Sequence, residues 1–153
     1  MASSRFTLDF SKIFPNMEHA SEAVKAQAEI GIGRALLQIR TDMISQRPTA
    51  PIKEGFLRGS ISIHVMKNEI PVPLGAGEKA DKKVKGYSIP LKPGEIRGII
   101  GINVPYAARW HEVPAHFSDP EAGNKYLESK MANNKKLYRQ IIINAVNEAT
   151  GTP

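Results

Sequence analysis

Apolar positions along the chain fall into stretches with different periods. Across residues 17–45, Ala20, Val24, Ala28, Ile32, Ala35, Leu36, Ile39 and Met43 recur every three to four positions. That spacing lines up one face of an α-helix. Asn16 after Pro15 suits the N-cap, and Glu18 places a carboxylate at the positive end of the dipole. About 28 residues at 1.5 Å each give a helix about 42 Å long. Gly31 and Gly33 lie inside it, at a helix-propensity cost of about 1 kcal/mol each, and close packing against another element accounts for them best. The helix must end before Pro48, where Pro48-Thr49-Ala50-Pro51 reads as a stiff, extended connector.

A period of two appears elsewhere. In an arm formed by residues 1–14, Phe6, Leu8 and Phe10 alternate with Arg5, Thr7 and Asp9, as in a short strand that pairs with a neighbour. Ile61, Ile63 and Val65 share one face of a strand over residues 60–65, which leaves His64 on the solvent face. Ile96, Ile99, Ile100 and Ile102 centre a second strand over 95–104, with Gly98 and Gly101 permitting a bulge or close approach. Helical spacing returns over 125–149, with Leu127, Met131, Leu137, Ile141, Ile142, Ala145, Val146 and Ala149 directed inward and Asn133-Asn134 as a kink or break. Between the strands, residues 67–94 carry Pro71, Pro73, Pro90 and Pro93 and Gly75, Gly77, Gly86 and Gly94. Only Ile70-Pro71-Val72 and Tyr87-Ser88-Ile89 look strand-like, so the segment reads as a long basic loop or hairpin that becomes ordered against a partner. Together these elements predict an α+β fold: a long N-terminal and a C-terminal helix packed on a small, mainly antiparallel sheet, in one domain over residues 15–153.

Composition agrees with one soluble globular domain: 153 residues, 41% hydrophobic and 24% charged. The absence of cysteine excludes a disulfide framework and any Cys-based zinc site. Met1-Ala2-Ser3-Ser4-Arg5 leads into no apolar run of signal-peptide type, and no stretch has the length of a membrane span, so the expected location is the cytoplasm, without membrane contact. A net charge of +6 permits contact with nucleic acid or an acidic surface. Much of it gathers in Lys79, Lys82, Lys83, Lys85, Lys92 and Arg97, and in Lys125, Lys130, Lys135, Lys136 and Arg139. Within the first group Lys82, Lys83 and Lys85 are the candidates for phosphate contact.

The densest concentration of chemistry is Tyr106-Ala107-Ala108-Arg109-Trp110-His111-Glu112, two aromatics, both charge signs and a histidine after a predicted strand. His111 and His116 with Glu112 between them invite a zinc-hydrolase reading. That site needs histidines at i and i+4 of a helix; here the spacing is five, with Pro114 between. Gly75-Ala76-Gly77-Glu78-Lys79 lacks the G-x-x-x-x-G-K-(S/T) spacing of a phosphate loop, and no nucleophile elbow is present. We therefore assign no catalytic residue, no metal and no cofactor from the sequence, and treat a hydrolase built on His111, Glu112 and His116 as without positive support.

Three segments resemble a known family. Ala50-Pro51-Ile52-Lys53-Glu54-Gly55-Phe56-Leu57-Arg58-Gly59-Ser60-Ile61 resembles the "AP-x-x-(T/E)-G-x-L-R-x-S-I" segment of small neck proteins of long-tailed bacteriophages, also described as minor capsid, head–tail connector or tail-completion proteins. Residues 106–112 resemble that family's "YA-x-(Y/W)-x-H-E" segment, with Trp110 one place later than the pattern sets its aromatic. Gly123-Asn124-Lys125-Tyr126-Leu127-Glu128 is similar to "G-x-K-(F/Y)-L-E" before a final helix. The likeness spans residues 16–149; the basic 67–94 segment is an insertion, and Val113-Pro114 stand where the family often has Gly-Thr. The resemblance implies a non-enzymatic virion protein, assembled in the host cytoplasm as a ring of six at the head–tail junction. Its partners would be copies of itself, a connector or head-closure protein, and a tail-tube or tail-terminator protein, with DNA passing through the channel. Phe56, Leu57, Arg58, Tyr106, Arg109, Trp110, His111 and Glu112 are then the interface candidates, aromatic area supplying contact and paired charge supplying register. The alternative is a basic nucleic-acid-binding module.

Overall fold

A computed structural model describes residues 4–9, 20–51, 56–72, 74–75, 77–79, 94–102, 104, 106–113, 117 and 120–150, with backbone alone at 4–9, Phe56, Ala108, Trp110 and Thr150. Helix α1 is Glu22–Ser45 and α2 the single turn Phe56–Gly59; α3 is Ala107–Glu112 and α4 Glu128–Thr150. Strands β1 (Ser4–Asp9), β2 (Ile61–Val65), β3 (Asn68–Ile70) and β4 (Arg97–Ile102) form one antiparallel sheet in the order β1-β4-β2-β3. The fold is α+β, as the pattern predicts.

Register follows the hydrophobic alternation. Ile61 lies opposite Ile102 and Ile63 opposite Ile100, so the apolar positions of β2 and β4 share one face. Phe6 and Leu8 of β1 stand at the register positions opposite Ile100 and Gly98, so this segment of the arm completes the chain's own sheet. Helix α1 lies across the apolar face through Ile32, Leu36, Ile39 and Met43, all fully buried. Contact is close because β4 offers Gly98: a Cβ there would stand 2.4 Å from Ile32 Cγ2 and 2.8 Å from Leu36 Cδ1. Helix α4 packs chiefly along α1 through Tyr138, Ile142, Ala145 and Val146. Helix α1 thus has neighbours on two sides, which is why its apolar face is so wide. Among the described residues no helix is long and apolar enough to cross a membrane.

Several local expectations are corrected. The cap of α1 is Ser21, whose side chain accepts the Val24 N–H at 3.2 Å, and Ala20 and Ser21 are not helical, so α1 does not run unbroken from Asn16. Asn16 and Glu18 lie outside the described residues. Helix α4 begins at Glu128, because Lys125 adopts φ 58, a left-handed conformation incompatible with a helix. Asn134 is non-helical inside α4, so the kink falls where the paired asparagines place it. Leu137 is 48% exposed because its neighbour Tyr138 takes the inward position. His64 is buried, 7% exposed, since β2 is an inner strand with Ile99 and Glu69 beside it on that face. Lys130, one of the second group of cations, is 1% exposed and donates to the Pro48 carbonyl at 2.8 Å.

The 67–94 segment opens with structure of its own. A turn at Met66-Lys67 returns the chain as β3, and Glu78 then pairs with Arg40 of α1 while accepting the Gly75 N–H at 2.8 Å. The backbone of Lys79 is pressed against Gly59, where a Cβ would come within 1.9 Å of the Lys79 carbonyl oxygen. Its described part up to Lys79 is thereby anchored to the body of the fold. Lys82, Lys83, Lys85 and the Tyr87-Ser88-Ile89 stretch lie outside the described residues.

Candidate functional site

The Tyr106–Glu112 stretch becomes the short helix α3, started by Tyr106 as N-cap and closed by the Val113 N–H on the Arg109 carbonyl at 2.9 Å. Its inner face carries Ala107 and His111, both buried. On the outer face are Tyr106, 41% exposed, Arg109, and Val113 just beyond the helix, 51% exposed. Positions 106, 109 and 113 follow the i, i+3, i+7 spacing of one helix face.

This inner face is fastened to the Gly123–Glu128 segment, the second stretch singled out in the sequence. His111 meets Tyr126 edge to face, with ring centroids 4.9 Å apart. The Tyr126 hydroxyl donates to the Ala107 carbonyl at 3.3 Å, and the Lys125 N–H donates to the His111 carbonyl at 2.7 Å. The imidazole spans two groups: Nδ1 is 2.8 Å from Glu112 Oε1, and Nε2 accepts the Glu128 N–H at 3.3 Å. The Lys125 ammonium bridges Glu112 and Glu128. Lys125 and His111 hold the Glu112 carboxyl below its usual range, and Glu112 and Glu128 raise the Lys125 ammonium. Burial, with Glu112 nearby, raises the Tyr126 phenol so that it remains a neutral donor.

The residues just before the third segment join the same cluster. Thr49 N–H donates to the Glu121 carbonyl at 2.9 Å, and Gly123 N–H to the Thr49 carbonyl at 3.2 Å. Arg47 pairs with Glu121, whose carboxyl it holds low. Arg58 then folds back, its Nε donating to the Ala50 carbonyl at 2.8 Å. Segments 47–50, 121–128 and 107–112 therefore form one continuous hydrogen-bonded unit.

Of the interface candidates, Leu57, Arg58 and His111 are buried within the chain itself. Their apolar area and donors are committed internally, which corrects their assignment as groups presented to a partner. Tyr106, Arg109 and Glu112 are exposed at the surface of α3. The side chains of Phe56 and Trp110 lie outside the description, as does His116.

His111, Glu112 and Glu128 bring potential ligand atoms within 4.8 Å of one another. A metal would need a free lone pair on His111. Nε2 already accepts a backbone N–H, Nδ1 faces Glu112, and the Lys125 ammonium stands between the two carboxylates. The donor set thus serves internal bonding and does not fit a metal centre.

A second polar cluster lies between α1 and α4. Asp42, 2% exposed, accepts from the Tyr138 hydroxyl at 2.6 Å, from Gln38 at 2.9 Å and from Gln46 at 3.3 Å. Asn134 donates to Gln46 Oε1 at 2.9 Å, so the kink in α4 turns an amide toward α1. Burial and the bond to Asp42 raise the Tyr138 phenol, and burial lowers the Lys130 ammonium, partly opposed by Asp42. The sequence signal was an acid at an inward helical position between Ile39 and Met43, with Gln four residues to either side. Such a network sets the register of one helix on another.

Comparison with known protein families, characterised proteins and solved structures finds no match for this chain.

Proposed function

We propose that this chain is a structural protein of the neck of a long-tailed bacteriophage, a ring of six copies that joins the head connector to the tail tube and performs no catalysis. The reading rests on the likeness of three segments, in order, to that family of neck proteins. The observation that carries it furthest is that the second and third of these segments are bonded to each other around Tyr126, with their polar groups turned on each other, while the residues just before the first, Arg47 and Thr49, bond to Glu121 and Gly123. A self-satisfied cluster under a surface helix suits a rigid joint better than a reaction centre, which needs polar groups left free for substrate. On that joint Tyr106, Arg109, Trp110 and Glu112 form the contact surface, the aromatics as anchors and the charges as register. The connector and tail-side proteins bind the two faces of the ring, and Lys82, Lys83 and Lys85 are the candidates for contact with DNA in the channel.

Light scattering on the purified chain tests this, comparing wild type with Tyr106→Ala/Arg109→Glu. Wild type assembles, and the double variant remains monomeric while melting within a few degrees of wild type. A chain that stays monomeric and binds DNA with a steep salt dependence belongs instead to the nucleic-acid-binding alternative.

A further inference from the structure

His111 is 5% exposed, yet both its ring nitrogens meet polar atoms of the chain. The Glu128 N–H, at the first residue of α4, can only donate, so Nε2 must present a lone pair. The ring proton is thereby assigned to Nδ1, facing Glu112 Oε1 at 2.8 Å. In this form the imidazole satisfies one of the N–H groups that a helix leaves unpaired in its first turn. His111 thus acts across the chain as a cap for α4.

Among the described residues, the groups around the ring are Glu112 from α3, Lys125 and Tyr126 from the connecting segment, and Glu128 from α4. A second proton would land on Nε2 and set a donor against the Glu128 donor. It would also place a cation at the positive end of the α4 dipole. Glu112 and Glu128 attract that cation, but both already share the Lys125 ammonium. The contact that cannot survive is the one between Nε2 and the Glu128 N–H.

We propose that His111 is an acid-operated latch: neutral, it fastens α3 to the first turn of α4; protonated, it releases the Glu128 N–H and loosens the helix that carries Tyr106 and Arg109. The latch belongs to the fold and does not depend on the phage reading.

The test is nuclear magnetic resonance on the full chain labelled with nitrogen-15, with pH lowered stepwise from neutrality. At neutral pH, Nδ1 of His111 carries the proton and Nε2 does not. As the ring takes up its second proton, Glu128 amide exchange, corrected for intrinsic rate, rises roughly three- to tenfold with the same midpoint, as expected for loss of one hydrogen bond. In His111→Gln, an amide oxygen accepts the same N–H without titrating, so Glu128 stays protected and the step disappears. A proton on Nε2 at neutral pH, or Glu128 protection unchanged through the titration of the ring, overturns the proposal. If His111→Gln does not fold, the wild-type titration decides alone.

Discussion

His111 and Tyr126 meet edge to face, their ring planes at 86°, and this contact joins two segments that the sequence marks separately. Tyr126 is fully buried and also bonds the Ala107 carbonyl, so it is the hub between α3 and the approach to α4.

Tyr126→Ala should therefore lower stability by about 3–5 kcal/mol, as for other buried aromatics cut to alanine. Tyr126→Phe keeps the ring and loses only the hydroxyl bond, at a cost of about 1 kcal/mol. Urea unfolding of the two variants measures the difference; equal costs would mean that the ring is not the packed hub.

Two glycines of α1 should respond with opposite signs. At Gly31 a Cβ would stand 2.9 Å from Ala145 Cβ and 3.0 Å from Ile142 Cα, so Gly31→Ala forces the helices apart and costs about 1–3 kcal/mol. At Gly33 the nearest atom is Val65 Cγ2 at an ordinary 3.8 Å, so Gly33→Ala gains helix propensity of about 1 kcal/mol. Thermal melts of both single variants check the signs.

Asp42 and Tyr138 should be strongly coupled. Asp42→Ala leaves a buried hydroxyl without its acceptor, and Tyr138→Phe leaves a buried carboxylate short of one donor. A double-mutant cycle should give a coupling of about 1–3 kcal/mol, since the groups touch and share a network. Additive losses would remove the network from the account of how α4 finds its register.

Acid should weaken the joint through its carboxylates. Lys125 and His111 lower the Glu112 carboxyl, and Arg47 lowers that of Glu121. A carboxyl lowered by folding binds fewer protons in the folded chain, so its contribution is complete above the ordinary value of 4.5 and disappears as pH falls through the folded value. Stability measured in urea should drop below about pH 4.5, and Glu112→Gln should flatten part of that drop. An unchanged profile in Glu112→Gln would show that its ion pairs add nothing to folding.

The fold class was legible because strong periodicities at β2, β4, α1 and α4 coincide with real buried faces. The kink near Asn134 was legible too, and so was close packing at Gly31, but the same reading fails at Gly33, which has ordinary space around it. What escaped depended on tertiary context. His64 alternates correctly but lies on an inner strand, and Lys130 looks like surface charge until the Pro48 carbonyl is brought to it. Lys125 escaped because nothing in the sequence requires its left-handed backbone. The site was half legible: residues 106–112 and 123–128 stand out in the sequence, but their bonding to each other does not. Leu57, Arg58 and His111 are buried within the chain, while Tyr106, Arg109 and Glu112 stay at the surface.

Native mass spectrometry of the purified protein across a concentration series is the sharpest test of the proposed assembly. A ring of six gives a discrete species at six times the 16.8 kDa chain mass, lost in Tyr106→Ala/Arg109→Glu. A monomer at every concentration, with the folded α3–α4 joint intact, would contradict it.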